Sequence, residues 1–235
     1  MKILIIGGSG GIGLSIVEKC LQHYSAANVI ATYNSTSPEL EHPRLRWIRL
    51  DVTHEESIKK LPDELGSIDI LINAVGLLHT IDHKPEKSIK QFDVDFYKLN
   101  LHLNAIPSIL LAKHFEMSLR SKNNTYYIVL SAKVGSISDN ELGGWISYRS
   151  SKAALNMAIK TISIEWKQKL PNCCVLLFHP GTTDTQLSSP FQARLPEGQL
   201  HSPEVTATAL LNIINNSTPH DSGKFISFDG SEIVW

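Results

Sequence analysis

The sequence predicts an α/β protein built on a parallel sheet. Three observations carry that expectation. Short apolar, β-branched runs alternate with helix-patterned segments along the 235 residues, polar or glycine residues recur where those runs stop, and no linker interrupts the alternation. A single domain over residues 1–235 follows.

Lys2 to Ile6 reads as a strand of the kind buried on both faces of a parallel sheet. Gly7, Gly8, Gly10, Gly11 and Gly13 follow, ahead of a segment with Ile12, Ile16, Val17 and Leu21 on one helical face. Strand, glycine turn and helix in that order let backbone amides approach a pyrophosphate at the helix N-terminus, where the dipole favours anions; a tight structural turn would also need glycine. Asn28 to Tyr33 is the second strand. An acidic residue at its end would suit NAD and a basic one NADP, but the chain has Asn34, Ser35 and Thr36. The missing carboxylate leans the choice to NADP, with NAD as the alternative, although no arginine follows to welcome the extra phosphate.

Arg46 to Leu50 makes a third strand ending in Asp51, His54 to Leu65 a helix, and Ile68 to Ile72 a fourth strand ending in Asn73, Ala74, Val75 and Gly76. Asp51 suits either a ligand contact or a helix-start turn. Phe92 to Leu119 reads as one long helix, with Asn100 inside it and in need of a reason, since asparagine disfavours a helix interior. Tyr126 to Leu130 is the fifth strand, followed by Ser131 and Ala132 and a polar loop through Gly143 and Gly144. Cys173 to Phe178 is the sixth, ending in Pro180, Gly181, Thr182, Thr183, Asp184 and Thr185. From Gln186 to Ser202 the composition suits a mobile loop, and residues 184–204 are a candidate substrate loop or lid. Val205 to Ile214 is a last helix and Lys224 to Phe228 a last strand.

Between the fifth and sixth strands, Tyr148 and Lys152 open an apolar, alanine-rich helix. Four residues apart, they share a face. An ammonium beside a phenol favours the phenolate, so this spacing predicts a lowered Tyr148 pKa and a general acid/base. Charged residues at 19% and a net charge of -1 give no sign of nucleic acid or membrane as a partner, and no apolar run approaches a membrane span. The N-terminal apolar run ends too early in glycines to resemble a secretory signal. Cys20, Cys173 and Cys174 have neither disulfide nor metal-ligand spacing, which makes a reducing cytoplasm the expected location and leaves no metal expected.

Taken together, the glycine pattern Gly7, Gly11, Gly13, the stretch Asn73-Ala74-Val75-Gly76, Tyr148 to Lys152, and Pro180-Gly181 with Thr185 resemble, in order, the motifs of the short-chain dehydrogenase/reductase family. The loop before Tyr148 and Asp229-Gly230 near Trp235 look closest to its C-factor and sniffer-like carbonyl reductases. The resemblance implies a single Rossmann-type domain, a doubly wound seven-stranded parallel sheet with helices on both faces, acting on a small carbonyl or alcohol substrate. It implies that Tyr148 is the acid/base, that Lys152 lowers its pKa and holds the nicotinamide ribose, and that Asn100 supports a proton-relay water. Gly7, Ser9, Gly11, Ile12, Gly13, Asn34, Asp51, Val52, Asn73, Ala74, Gly76, Pro180, Gly181, Thr183 and Thr185 would line the cofactor cleft. Many relatives place a carbonyl-orienting serine at the position of Ala132. Ser131 is the expected substitute, with Ser136, or no donor at all, as the other outcomes. Relatives pair through the helices that carry Asn100 and Tyr148, so a homodimer or homotetramer is expected. The alternative to an enzyme is a dinucleotide-binding regulator on the same fold with little or no turnover.

Overall fold

The computed structural model describes residues 1–235, the side chain of Arg194 excepted. Along the chain lie β1 (Lys2–Ile6), α1 (Gly11–His23), β2 (Asn28–Tyr33), β3 (Leu45–Arg49), α2 (Glu55–Leu65) and β4 (Ile70–Asn73). These are followed by α3 (Val94–Asn104), α4 (Ile106–Phe115), β5 (Thr125–Leu130), α5 (Ile146–Lys169) and β6 (Cys173–His179), and then by β7 (Thr182–Thr183), β8 (Leu200–His201), α6 (Pro203–Asn216) and β9 (Phe225–Ser227).

Seven strands form one parallel sheet in the order β3-β2-β1-β4-β5-β6-β9. The order reverses between β1 and β4, and the crevice outside the carboxyl ends at such a switch point is where open α/β sheets bind ligands. Alternation within β1 supplies both cores. Ile3 and Ile5 join Ile16, Val17 and Leu210 under α1 and α6, while Leu4 and Ile6 join Ile58, Phe115 and Leu155 under α2, α4 and α5. The doubly wound α/β domain expected from the sequence is therefore present.

Two stretches differ from expectation. The single helix expected over Phe92 to Leu119 is instead α3 and α4, meeting at Ala105. Pro107 explains the break, since it has no N–H for a carbonyl one turn back and its ring crowds that turn. Asp93 caps the start of α3, its Oδ1 accepting from the Phe96 amide at 2.7 Å. The stretch from Gln186 to Ser202 is not wholly loop. It contains a 3-10 turn at Ser189–Arg194 and β8, which pairs with β7.

Candidate active site

The glycine turn between β1 and α1 is dictated by close approach. A Cβ on Gly13 would lie 2.1 Å from the Gly7 carbonyl oxygen, and one on Gly11 would meet Thr185 at 2.7 Å. Gly7 itself sits at a φ of 77°, which favours glycine. α1 starts at Gly11 with no side-chain cap on its N-terminus, so first-turn amides are free to bind an anion. A cavity of about 530 Å³ opens against this turn. It is lined by Ser9 to Gly13, Ala74 to Gly76, Ser131, Tyr148, Lys152, Pro180, Thr185, Gln186 and Leu187, among others. A second, of about 240 Å³, adjoins it at Gly7, Ser9, Asn34, Asp51, Val52, Ala74 and Gly76. An uncapped helix N-terminus between two adjoining hollows fits a dinucleotide.

α5 carries Tyr148 and Lys152 to the first cavity, at 8% and 3% exposure. Lys152 Nζ lies 5.8 Å from the Tyr148 ring centroid and donates to the Leu130 carbonyl at 3.1 Å. Gly135 makes room for it, because a Cβ there would stand 2.7 Å from Lys152 Cβ. The expected lowering of the Tyr148 pKa is corrected by burial, which the sequence spacing did not take into account. Desolvation pushes the Tyr148 phenol above its ordinary value and pulls the Lys152 ammonium down to about 8. Tyr148 is thus a protonated phenol at neutral pH, and Lys152 is mostly but not wholly charged.

Behind this pair, Asn104 on α3 lies within hydrogen-bond distance of Asn100 Oδ1 (3.1 Å), Ser151 Oγ (2.9 Å) and the Leu77 carbonyl (2.8 Å), and its own Oδ1 accepts from the Leu77 amide. Asn100, fully buried, donates back to the Phe96 carbonyl at 3.0 Å. Asn100 therefore sits in a network joining α3, α5 and the loop after β4, and lines neither hollow.

The other expected site residues divide the same way. Asn73 turns inward, donating to Ser108 Oγ at 2.7 Å and accepting from the Val75 amide at 3.1 Å. Gly181 forms a turn at φ 69°, and Thr183 bonds Thr206 and the Pro180 carbonyl. These three shape the rim without lining it. Asp51 lines the second hollow and also closes a turn, its carboxylate accepting from the Thr53 amide and hydroxyl, bonds that lower its pKa. Ser131 reaches the first cavity, but its hydroxyl donates to Asn156 Oδ1 at 2.6 Å. Ser136 accepts from the Asp139 amide.

Sequence reading missed Asn104 and Ser151, although Asn104 follows Asn100 by one helical turn, which is the spacing that could have revealed it. It also missed Arg49. Arg49 pairs with Tyr33 across β3 and β2, and its Nε donates to the Asn34 carbonyl at 3.1 Å. An arginine of the neighbouring strand thus stands beside the end of β2.

Comparison with known proteins bears on family and fold. The sequence model of the short chain dehydrogenase family matches residues 1–195. An uncharacterized oxidoreductase of Saccharomyces cerevisiae is 30% identical, over 98% of this chain and 96% of its own length. Among solved structures, the carbonyl reductase Sniffer of D. melanogaster superposes with a TM-score of 0.85 at 21% identity, covering 100% of this chain and 99% of that one. An NADPH-bound carbonyl reductase from chicken fatty liver gives 0.84 at 24% identity, covering 100% and 94%. No helix is long and apolar enough to cross a membrane, and no cluster of metal-ligating side chains occurs among the described residues.

Proposed function

The chain belongs to the short-chain dehydrogenase family, and from that premise we propose that it is an NADP(H)-dependent oxidoreductase acting on a carbonyl or alcohol, with Tyr148 as acid/base. One observation carries the reading: Tyr148 and Lys152 face the cavity that the glycine turn opens. When bound, the nicotinamide supplies the hydride. Tyr148, kept protonated by burial, gives its phenolic proton to the substrate oxygen, which makes reduction the direction this protonation state serves. The Lys152 cation stabilises the phenolate left behind and offers N–H donors to the ribose. Asn100 acts from behind. Through Asn104 and Ser151 it holds α3 against the turn of α5 that carries both groups.

Three features of this chain support the finer choices. The first-turn amides of α1, from Gly11 to Gly13, receive the pyrophosphate, with Ser9, Ala74, Gly76, Pro180 and Thr185 around it and Asp51 and Val52 beside the adenine half. NADP is favoured over NAD because Asn34 brings no carboxylate and Arg49, held on the Asn34 carbonyl, has guanidinium donors to spare for a phosphate. Residues 184–204 form the substrate side of the site, with Leu187 in the cavity wall. Assembly as a homodimer or homotetramer uses α5 and the α3–α4 stretch that stands where one Asn100 helix was expected, whose Val94, Ile106, Ile109, Met157 and Ile164 are 40–68% exposed; light scattering of the eluting protein reads the mass directly.

One observation favours a second reading, a dinucleotide-binding regulator with little turnover: the hydroxyl of Ser131, the expected carbonyl-orienting donor, is committed to Asn156. The test is loss of nicotinamide absorbance from NADPH and NADH against a panel of aldehydes, ketones and diketones. Consumption of NADPH with any panel member supports the enzyme. Binding of NADPH with no consumption across the panel supports the regulator.

A further inference from the structure

Tyr148 has aromatic neighbours that the cofactor hollows leave unused. The Trp145 ring stands 6.4 Å from that of Tyr148 at 69°, Phe191 lies 5.2 Å from Trp145 at 61°, and His79 lies 5.7 Å from Phe191 at 62°. All three contacts are edge-to-face, the arrangement aromatic rings favour, and they leave ring surface uncovered. His79, Trp145 and Phe191 come from three separate segments, each is half-buried, and none lines the cavity at the glycine turn. They therefore form a chain of rings that begins at Tyr148 with Trp145 and runs on through Phe191 to His79, outside the residues that line the cofactor hollow. Polar competition there is low, since Gln192, next to Phe191, has its amide on Asp184 Oδ1 and Ser188 Oγ.

Trp145 is also where the backbone is strained. It has a φ of 52° and a ψ of 39°, and among the described residues it is the one non-glycine with a positive φ. Gly143 and Gly144, at 63° and 67°, precede it in the same left-handed region. Such a conformation persists only where its surroundings impose it, and it concentrates at functional sites. Here Glu86 imposes it. The Glu86 carbonyl accepts the Trp145 amide at 2.5 Å, and its carboxylate, on a residue 3% exposed, takes the Ser147 amide and hydroxyl. A buried acid thus fixes the first turn of α5 and, with it, the aim of the Trp145 ring.

We propose that Trp145, Phe191 and His79 form an aryl subsite beside Tyr148, so that the substrates are carbonyls attached to a flat aromatic ring rather than aliphatic ones. This rests on the reductase reading for its chemistry, but the subsite makes a binding prediction of its own. Benzamide and cyclohexanecarboxamide are matched in size, carry a carbonyl and resist hydride transfer. Ligand-observed NMR on the NADPH-loaded protein should show benzamide binding about fivefold more tightly, the scale of aromatic pair contacts. Trp145→Leu and Phe191→Leu should bring the two ligands near parity, and Trp145→Phe, which keeps a ring, should restore the preference. Equal binding by the wild-type protein, or an unchanged preference in both leucine variants, overturns the subsite. Turnover of acetophenone and cyclohexyl methyl ketone separates the two ideas. Reduction of both ketones without aryl preference sinks the subsite and keeps the reductase, whereas benzamide preference with no turnover of these ketones or of any aldehyde, ketone or diketone in the panel keeps the subsite and sinks the reductase.

Discussion

Replacing Lys152 by methionine should make the protein more stable while removing its activity. Lys152 is 3% exposed, and burial holds its pKa at about 8 against an ordinary 10.5. At pH 7 the folded state therefore bears a desolvation cost of roughly 3 kcal/mol for keeping the ammonium charged. Methionine keeps most of the side-chain length and removes that cost. The variant also loses the hydrogen bond to the Leu130 carbonyl, worth about 1 kcal/mol. The net gain is about 2 kcal/mol, or about 4–8 °C in Tm for a chain of this size. The pH dependence gives a second check. The unfolded chain keeps the lysine proton up to about pH 10.5 while the folded protein releases it near 8, so unfolding takes up a proton in that window and wild-type stability from this group rises with pH. The advantage of Lys152→Met should be full below pH 8 and shrink towards pH 10.5. Differential scanning calorimetry from pH 7 to 10 measures both. A variant with a lower Tm at pH 7, or an advantage that grows with pH, would refute the reasoning.

Two further changes test the cofactor side. Gly13→Ala would place a methyl 2.1 Å from the Gly7 carbonyl oxygen, so the turn must open. NADPH affinity should fall at least about tenfold, a cost of about 1.4 kcal/mol, by isothermal titration; unchanged affinity would mean that the turn does not carry the pyrophosphate. Arg49→Gln should weaken NADPH by about tenfold and NADH by less than about twofold, consistent with one charge-assisted contact to phosphate. Equal losses for the two cofactors would assign Arg49 a structural role at the Asn34 carbonyl.

Much of the fold was legible because burial on both faces of a parallel sheet leaves continuous apolar runs, such as Ile3 to Ile6 and Val175 to Phe178. The helix break at Ala105 was legible too, in Pro107, but apolar periodicity on both sides of it suggested one element. Site residues were legible where chemistry depends on near neighbours in sequence, as with Tyr148 and Lys152 on one helical face. They were not legible where it depends on environment or register. The direction of the Tyr148 pKa is set by burial that a local spacing does not reveal. Arg49 reaches Asn34 only because β3 lies parallel to β2 with Arg49 beside Tyr33. The inward turn of Asn73 towards Ser108 likewise depends on a helix 35 positions away.

Tyr148 is buried at the cavity with Lys152 beside it. The decisive measurement is single-turnover hydride transfer from bound NADPH to a carbonyl that the wild-type protein reduces, compared in Tyr148→Phe. Loss of the phenolic proton donor should slow transfer by about 10²–10⁴-fold while NADPH still binds within about twofold of wild type, because the pyrophosphate amides of α1 are untouched. A Tyr148→Phe protein that binds NADPH and transfers hydride at the wild-type rate would contradict the assignment of Tyr148 as the acid.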